Sequence, residues 1–134
     1  MSEANVELTR RAVEAWNSGG VEGVLRFCPD DVVWHPFPQW PDGAEPRAGH
    51  DGVRELMQAW LDNFDDFKLV LDEARDLGHQ VLLLGAMDGQ SKGSGSLIHQ
   101  PFGWVCADFR EGLIGEMRFF LTRQEALNAA GLLE

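Results

Sequence analysis

The chain changes periodicity near residue 64, and that change limits its fold more than any other feature. Up to there, apolar residues recur at intervals of three and four; beyond it they alternate or run in short blocks. Residues 3–18 read as a helix with Leu8, Ala12, Ala15 and Trp16 on one face. Asn17-Ser-Gly-Gly20 closes it, because glycine accepts the left-handed backbone of a helix end. A short second helix is expected over 21–27, a Pro29-Asp30-Asp31 turn after it, and a β-branched and aromatic strand over 32–35. Residues 36–48 hold four of the six prolines together with Trp40, and read as an ordered loop or lid. A third helix, 51–64, carries Val53, Leu56, Met57, Trp60, Leu61 and Phe64 as a broad apolar face.

Strands are then expected over 67–71, 80–87, 97–109 and 113–122, with a small polar hairpin tip at 89–96 and a turn at 110–112. Pro101 predicts a bulge in the third of these, since proline cannot donate to a ladder. Residues 123–132 read as a short closing helix. Helices segregated from hairpins mean an α+β fold, not a doubly wound sheet. The expected form is a cone: a curved, mostly antiparallel sheet wrapped around three helices of the N-terminal half. Its open end is a natural ligand cavity.

The 134 residues suit one domain, 1–134, long enough to bury a core. A net charge of −11 argues against nucleic acid, which needs a basic stripe, and against anionic membrane surfaces. The opening residues lack the apolar run of a signal peptide, and no stretch approaches membrane-spanning length, so a cytoplasmic protein is expected. Cys28 and Cys106 have apolar neighbours and read as buried, reduced thiols. There is no phosphate loop, nucleotide fingerprint, nucleophile elbow or clustered His/Cys spacing, so neither cofactor nor metal is expected.

Pro36 holds His35 stiffly at a strand end, facing either a cavity or water. A histidine facing inward could serve as a general base near neutral pH. Ala15-Trp-Asn-Ser-Gly19, the run from Phe27 to His35-Pro36, Pro46-Arg-Ala-Gly-His-Asp-Gly-Val-Arg-Glu-Leu56 and the ending from Met117 to Leu132 share a further property. Together they resemble the nuclear transport factor 2-like superfamily, and within it the SnoaL-like polyketide cyclase group. The resemblance covers nearly the whole chain and implies the cone fold. It implies no single activity, because the superfamily spans isomerases, cyclases, hydrolases and non-enzymes. Its ketosteroid isomerases carry a catalytic aspartate before a proline where His35 stands. Their enolate is held by a tyrosine and a protonated aspartic acid. This chain has no tyrosine, and the matching positions are Ala12 and Trp104 or Val105.

The group's acid/base carboxylate beside a histidine suggests His99 and Asp108 as further catalytic candidates, with Asp88 nearby. Their odd offset places them on opposite faces unless a bulge intervenes. Asp51, beside His50, reads as a helix cap and dipole partner. Trp16, Leu56, Trp60, Phe102, Trp104, Met117 and Phe119 are core by default, yet in a cone the same faces line the cavity, with Trp40 at its mouth. The expected ligand is a small apolar organic molecule. Two functions stay open: proton-transfer chemistry such as cyclisation, isomerisation or hydrolysis, or ligand binding without catalysis. Glu116 and Arg118 share a strand face with Ile114 and Phe120, which suits a homodimer through the sheet.

Overall fold

A computed structural model describes residues 2–40 and 45–131. Helix α1 spans Ser2–Leu25 but is broken at Gly20, whose φ of 66° and ψ of −150° no helix contains. The two helical pieces expected from the sequence are thus the two limbs of one kinked element. Strand β1 (Val33–His35) follows, then the two-residue β2 (Arg47–Ala48), helix α2 (Gly49–Leu61) and four long strands. These are β3 (Phe64–Asp76), β4 (Val81–Ser91), β5 (Leu97–Arg110) and β6 (Leu113–Phe120). Helix α3 (Arg123–Ala129) closes the described chain. The last expected helical residue, Leu132, and part of the Pro-rich loop, 41–44, lie outside the described residues.

The six strands form one sheet in the order β2-β1-β6-β5-β4-β3. From β3 to β6 it is an antiparallel meander, the run of four strands that the alternation predicts. β1 joins β6 in parallel, and β2 pairs antiparallel with β1. The limbs of α1 and the amphipathic α2 cover the inner face, where Trp16, Val24, Trp34, Val53, Leu56, Leu83 and Phe102 form the main core. The outer face carries a smaller cluster of Leu82, Leu84 and Val105, covered by Ala126 of α3. Gly103 makes that docking possible: a Cβ there would stand 2.6 Å from the Cβ of Ala126.

Several expectations change. α2 starts at Gly49 on Ala48, which makes no side-chain cap, so Asp51 is not the cap. It sits in the first turn, bonded to Arg54 at 2.9 Å, where its charge suits the helix dipole. Phe64 leaves the helix and opens β3, yet still packs 5.0 Å from Trp60. No bulge marks Pro101: its pairing with Ala86 continues an unbroken β4–β5 register. The stretch 97–102 extends past the β5–β6 ladder, which begins at Gly103↔Phe120, so the proline has only one strand to satisfy. The register shifts fall instead in β3, between Asp65 and Lys68 and between Leu71 and Glu73.

One polar clasp fixes the helical layer to the sheet. Asn17 donates through Nδ2 to the Leu69 carbonyl (2.9 Å), and its Oδ1 accepts from the Leu69 N–H (2.9 Å). The side chain thus acts as a missing strand neighbour for β3 and sets where Trp16, one residue earlier, enters the core. Replacing Asn17 with Ala strands two half-buried backbone groups and should cost about 1–3 kcal/mol. Urea denaturation measures this; an unchanged midpoint would mean that water replaces the clasp fully.

Candidate functional site

A cavity of about 80 Å³ lies between α1, α2 and the inner face of the sheet. Its walls follow from the two periodicities. On α1, Thr9, Ala12, Val13 and Trp16 recur at helical spacing; on α2, Leu56, Met57 and Trp60 do. On the strands alternate residues face in: Phe67 and Leu69 on β3, Phe102, Trp104 and Cys106 on β5, Met117 and Phe119 on β6. Trp34, Pro36, Phe37 and Trp40 close the remaining side. All eight residues expected to contact a ligand, Trp16, Trp40, Leu56, Trp60, Phe102, Trp104, Met117 and Phe119, lie on this wall. So do all five tryptophans of the chain.

The rings hold one another. Phe102 stacks on Trp104 with centroids 4.7 Å apart, and Trp34 leans on Phe119 at 5.1 Å. Phe37, Trp40 and Trp60 form a triangle, with Trp60 5.5 Å from Phe37 and 5.7 Å from Trp40. The loop bearing Trp40 is tied to α3 where Gln39 Nε2 donates to Glu125 Oε2 (2.9 Å). Such pairs add about 0.5–1.5 kcal/mol each beyond area burial.

Among the described residues that line the cavity there is no Asp, Glu, His, Lys or Arg. The Thr9 hydroxyl is used locally, donating to the Val6 carbonyl at 2.7 Å. The indole nitrogens of Trp16, Trp34 and Trp60 are buried without a hydrogen-bond partner. That of Trp34 lies toward the Cys28 sulfur without a regular bond, and it slightly tempers the thiol. Burial dominates there and pushes the Cys28 thiol up to about 11. Burial, and then the neighbouring Cys28, push Cys106 up further still. Neither thiol is a nucleophile near neutral pH.

His35 does not reach this cavity. Its neighbours Trp34 and Pro36 line it, and strand alternation turns His35 to the opposite face. There His35 Nε2 donates to Glu116 Oε2 at 2.8 Å, both side chains about one-third exposed (31% and 35%). His99 also faces outward: 66% exposed, it donates through Nδ1 to Asp88 Oδ1 on the paired strand. Asp108 has the parity of Phe102 and Trp104 but takes a left-handed backbone, φ 55°. That twist gives the inward place to Phe109 and leaves Asp108 exposed beside Arg110 at 3.1 Å. The three catalytic candidates therefore occupy three separate surface sites. His50 is structural, donating through Nε2 to the Cys28 carbonyl at 3.0 Å. Of the positions matched to the isomerases' oxyanion pair, Ala12 and Trp104 are on the wall, while Val105 packs under α3.

Sequence reasoning missed Trp34, Phe37, Phe67 and Met87 as wall residues. A usable signal existed for Trp34: next to it on a half-buried strand, His35 must face the other way. Among the described residues no group of three metal-ligating side chains comes together, and no helix is long and apolar enough to cross a membrane.

Two outcomes follow from this geometry. His35→Ala should leave binding in the cavity unchanged and shift stability by less than about 1 kcal/mol, the usual size of a partly exposed ion pair; a lost ligand response would return His35 to the site. The folded Cys28 thiol keeps its proton up to about 11, against 9.0 for an ordinary thiol. An unfolding chain releases that proton first, so this stabilisation is whole below pH 9 and fades between about 9 and 11. Denaturation midpoints across that range should fall, and fall less in Cys28→Ala.

Residues 9–117 match the family model described as the SnoaL-like domain. No curated protein matches the chain. Among solved structures, it is similar to a nuclear transport factor 2-like protein of unknown function from Burkholderia pseudomallei K96243. That pair has a TM-score of 0.76 and 20% identity, over 93% of this chain and 95% of that one. It is also similar to a candidate polyketide cyclase from Xanthomonas campestris pv. campestris (0.71, 22%, over 96% and 97%). A third is a protein of ketosteroid isomerase-like fold from Catenulispora acidiphila DSM 44928, in complex with trimethylamine (0.73, 14%, over 94% and 93%). At these identities the structures establish the fold, an α+β cone of the nuclear transport factor 2-like kind, while the family model spans most of the sequence: the chain belongs to the SnoaL-like domain family.

Proposed function

We propose that this chain is a binding protein for a small organic molecule with an apolar surface, held in the aromatic cavity without acid/base chemistry by its walls. One observation carries the reading: five tryptophans converge on a hollow whose described lining contains no titratable side chain other than the inert thiol of Cys106. Proton transfer needs a group within hydrogen-bond reach of the reacting atom, with a pKa near working pH. His35, His99 and Asp108 stand on the outer surface and at the turn, where their partners are Glu116, Asp88 and Arg110, and none of them lines the cavity.

Size narrows the ligand. A dry cavity of about 150 Å³ accommodates benzene, and sites for drug-sized molecules run from about 300 to 1,000 Å³. At about 80 Å³ the cavity suits a molecule of a few heavy atoms. A fused-ring polyketide or steroid would need the Trp40–Trp60 contact to open. The trimethylamine bound by the Catenulispora acidiphila protein is of the size that fits.

Titration with cyclopentane or a similarly small hydrocarbon should change tryptophan emission saturably and raise the melting temperature. Silence in both measurements would end this reading. Leu56→Ala should enlarge the hollow, cost about 2–5 kcal/mol, and let benzene raise the melting temperature more than in the parent.

We also propose that the outer sheet face pairs two copies of the chain. Arg118 and Glu116 alternate outward between the inward Met117 and Phe119 of β6, and Glu116 is bonded to His35 on that same face. A two-fold axis would bring Arg118 of one copy to Glu116 of the other, a self-complementary arrangement. Arg118→Glu should then elute from a sizing column as a monomer where the parent elutes as a dimer. Identical elution of the two proteins would remove Arg118 from the interface.

A further inference from the structure

We infer that the aromatic cavity selects a small cation whose nitrogen carries methyl groups instead of hydrogens, over a neutral molecule of the same shape. The inference rests on the binding reading above and adds charge to it.

The box is made of rings set at steep angles to one another. Phe67 stands at 89° to Trp16 and 75° to Trp60; Phe37 stands at 77° to Phe102 and 73° to Phe119. The walls are built largely from aromatic rings, with the thioethers of Met57, Met87 and Met117 between them. Ring faces attract cations through their quadrupole, tryptophan most strongly, and such cages recognise quaternary ammonium groups.

The missing acceptors decide which cation. A primary ammonium brings three N–H donors that must be satisfied. The hydroxyl on this wall, that of Thr9, gives its proton to the Val6 carbonyl and leaves a single oxygen to accept from those three donors. A fully methylated nitrogen has no donor to strand, and its methyl groups keep water at a distance, so it loses less on leaving solvent.

The surrounding field has the matching sign. The chain carries a net charge of −11. A polar groove of about 310 Å³ shares Trp16 and Phe67 with the cavity as walls and holds Asp65 and Asp66. Its cation, Lys68, is turned to the Asn17 carbonyl, to which Nζ donates at 2.8 Å. Two exposed carboxylates thus stand beside two rings of the box and add to the negative potential around it.

The test uses three probes at constant ionic strength: tetramethylammonium, its neutral carbon isostere neopentane, and methylammonium, each followed by tryptophan emission and indole N–H resonances. Tetramethylammonium should bind at least about tenfold more tightly than neopentane, and methylammonium should leave both signals unmoved. Equal or tighter binding of neopentane overturns the inference. If only neopentane and cyclopentane bind, the binding reading survives and the charge preference falls; if cyclopentane also fails, both fall. Trp60→Leu should weaken tetramethylammonium about tenfold and neopentane less than about threefold. Parallel losses would mean shape alone. Should that variant fail to fold, Asp66→Asn serves instead, since asparagine tolerates the φ of 53° found there. It should weaken tetramethylammonium by about two- to threefold and leave neopentane alone, and an unchanged tetramethylammonium affinity counts against the inference.

Discussion

A hollow lined by a protein's largest side chains persists only if those side chains brace one another. Otherwise they would swing inward, because every Å² of apolar surface removed from a void gains contacts. Here the bracing is aromatic. Trp60 is held by Phe37, Trp40, Phe64 and Phe67 from four directions, and Phe67 is in turn set against Trp16. Rings have two torsions each and few staggered positions, so a mutually crossed set is stiff. Small changes in one ring therefore travel to the next, and the kinked α1, the loop at 36–40 and α2 all depend on the same set of contacts.

Much of this was legible in the sequence, and the parts that were not have physical causes. The helix limbs around Gly20, the amphipathic α2 and the four-strand meander follow from period and punctuation. The eight aromatic, leucine and methionine wall residues follow from the rule that one face of each element points inward. His35 was ambiguous only because Pro36 fixes a backbone without choosing a face. The choice is made by Trp34, whose bulk claims the inner side and sends the imidazole out to Glu116. Asp108 escaped for another reason: strand parity predicts it inward, and a left-handed φ at a non-glycine residue cancels parity with no sequence signal. Pro101 misled because an unpaired strand end accommodates proline as readily as a bulge does.

The two faces of the sheet divide the protein's chemistry. The inner face is apolar and closed. Polar side chains gather outside: the His35–Glu116 pair, the unpartnered Nε of Arg118, and the His99–Asp88 pair farther along. A strand's alternation makes this separation cheap, since one residue step moves a side chain between the two worlds. It also means that ionisable groups one position away from the cavity wall have no access to it, however close they stand in sequence.

The edge of the sheet formed by β3 shows the same economy applied to solubility. Its thirteen residues end the strand order, and the ladder they make is interrupted twice, near Asp66 and near Asp72. Five of the thirteen are acidic. A foreign strand seeking to extend the sheet would lose alignment at each interruption and meet acidic side chains there. A crowded solution of this protein should accordingly resist growing into fibrils from that border, although a continuous border of this length would be a template for them.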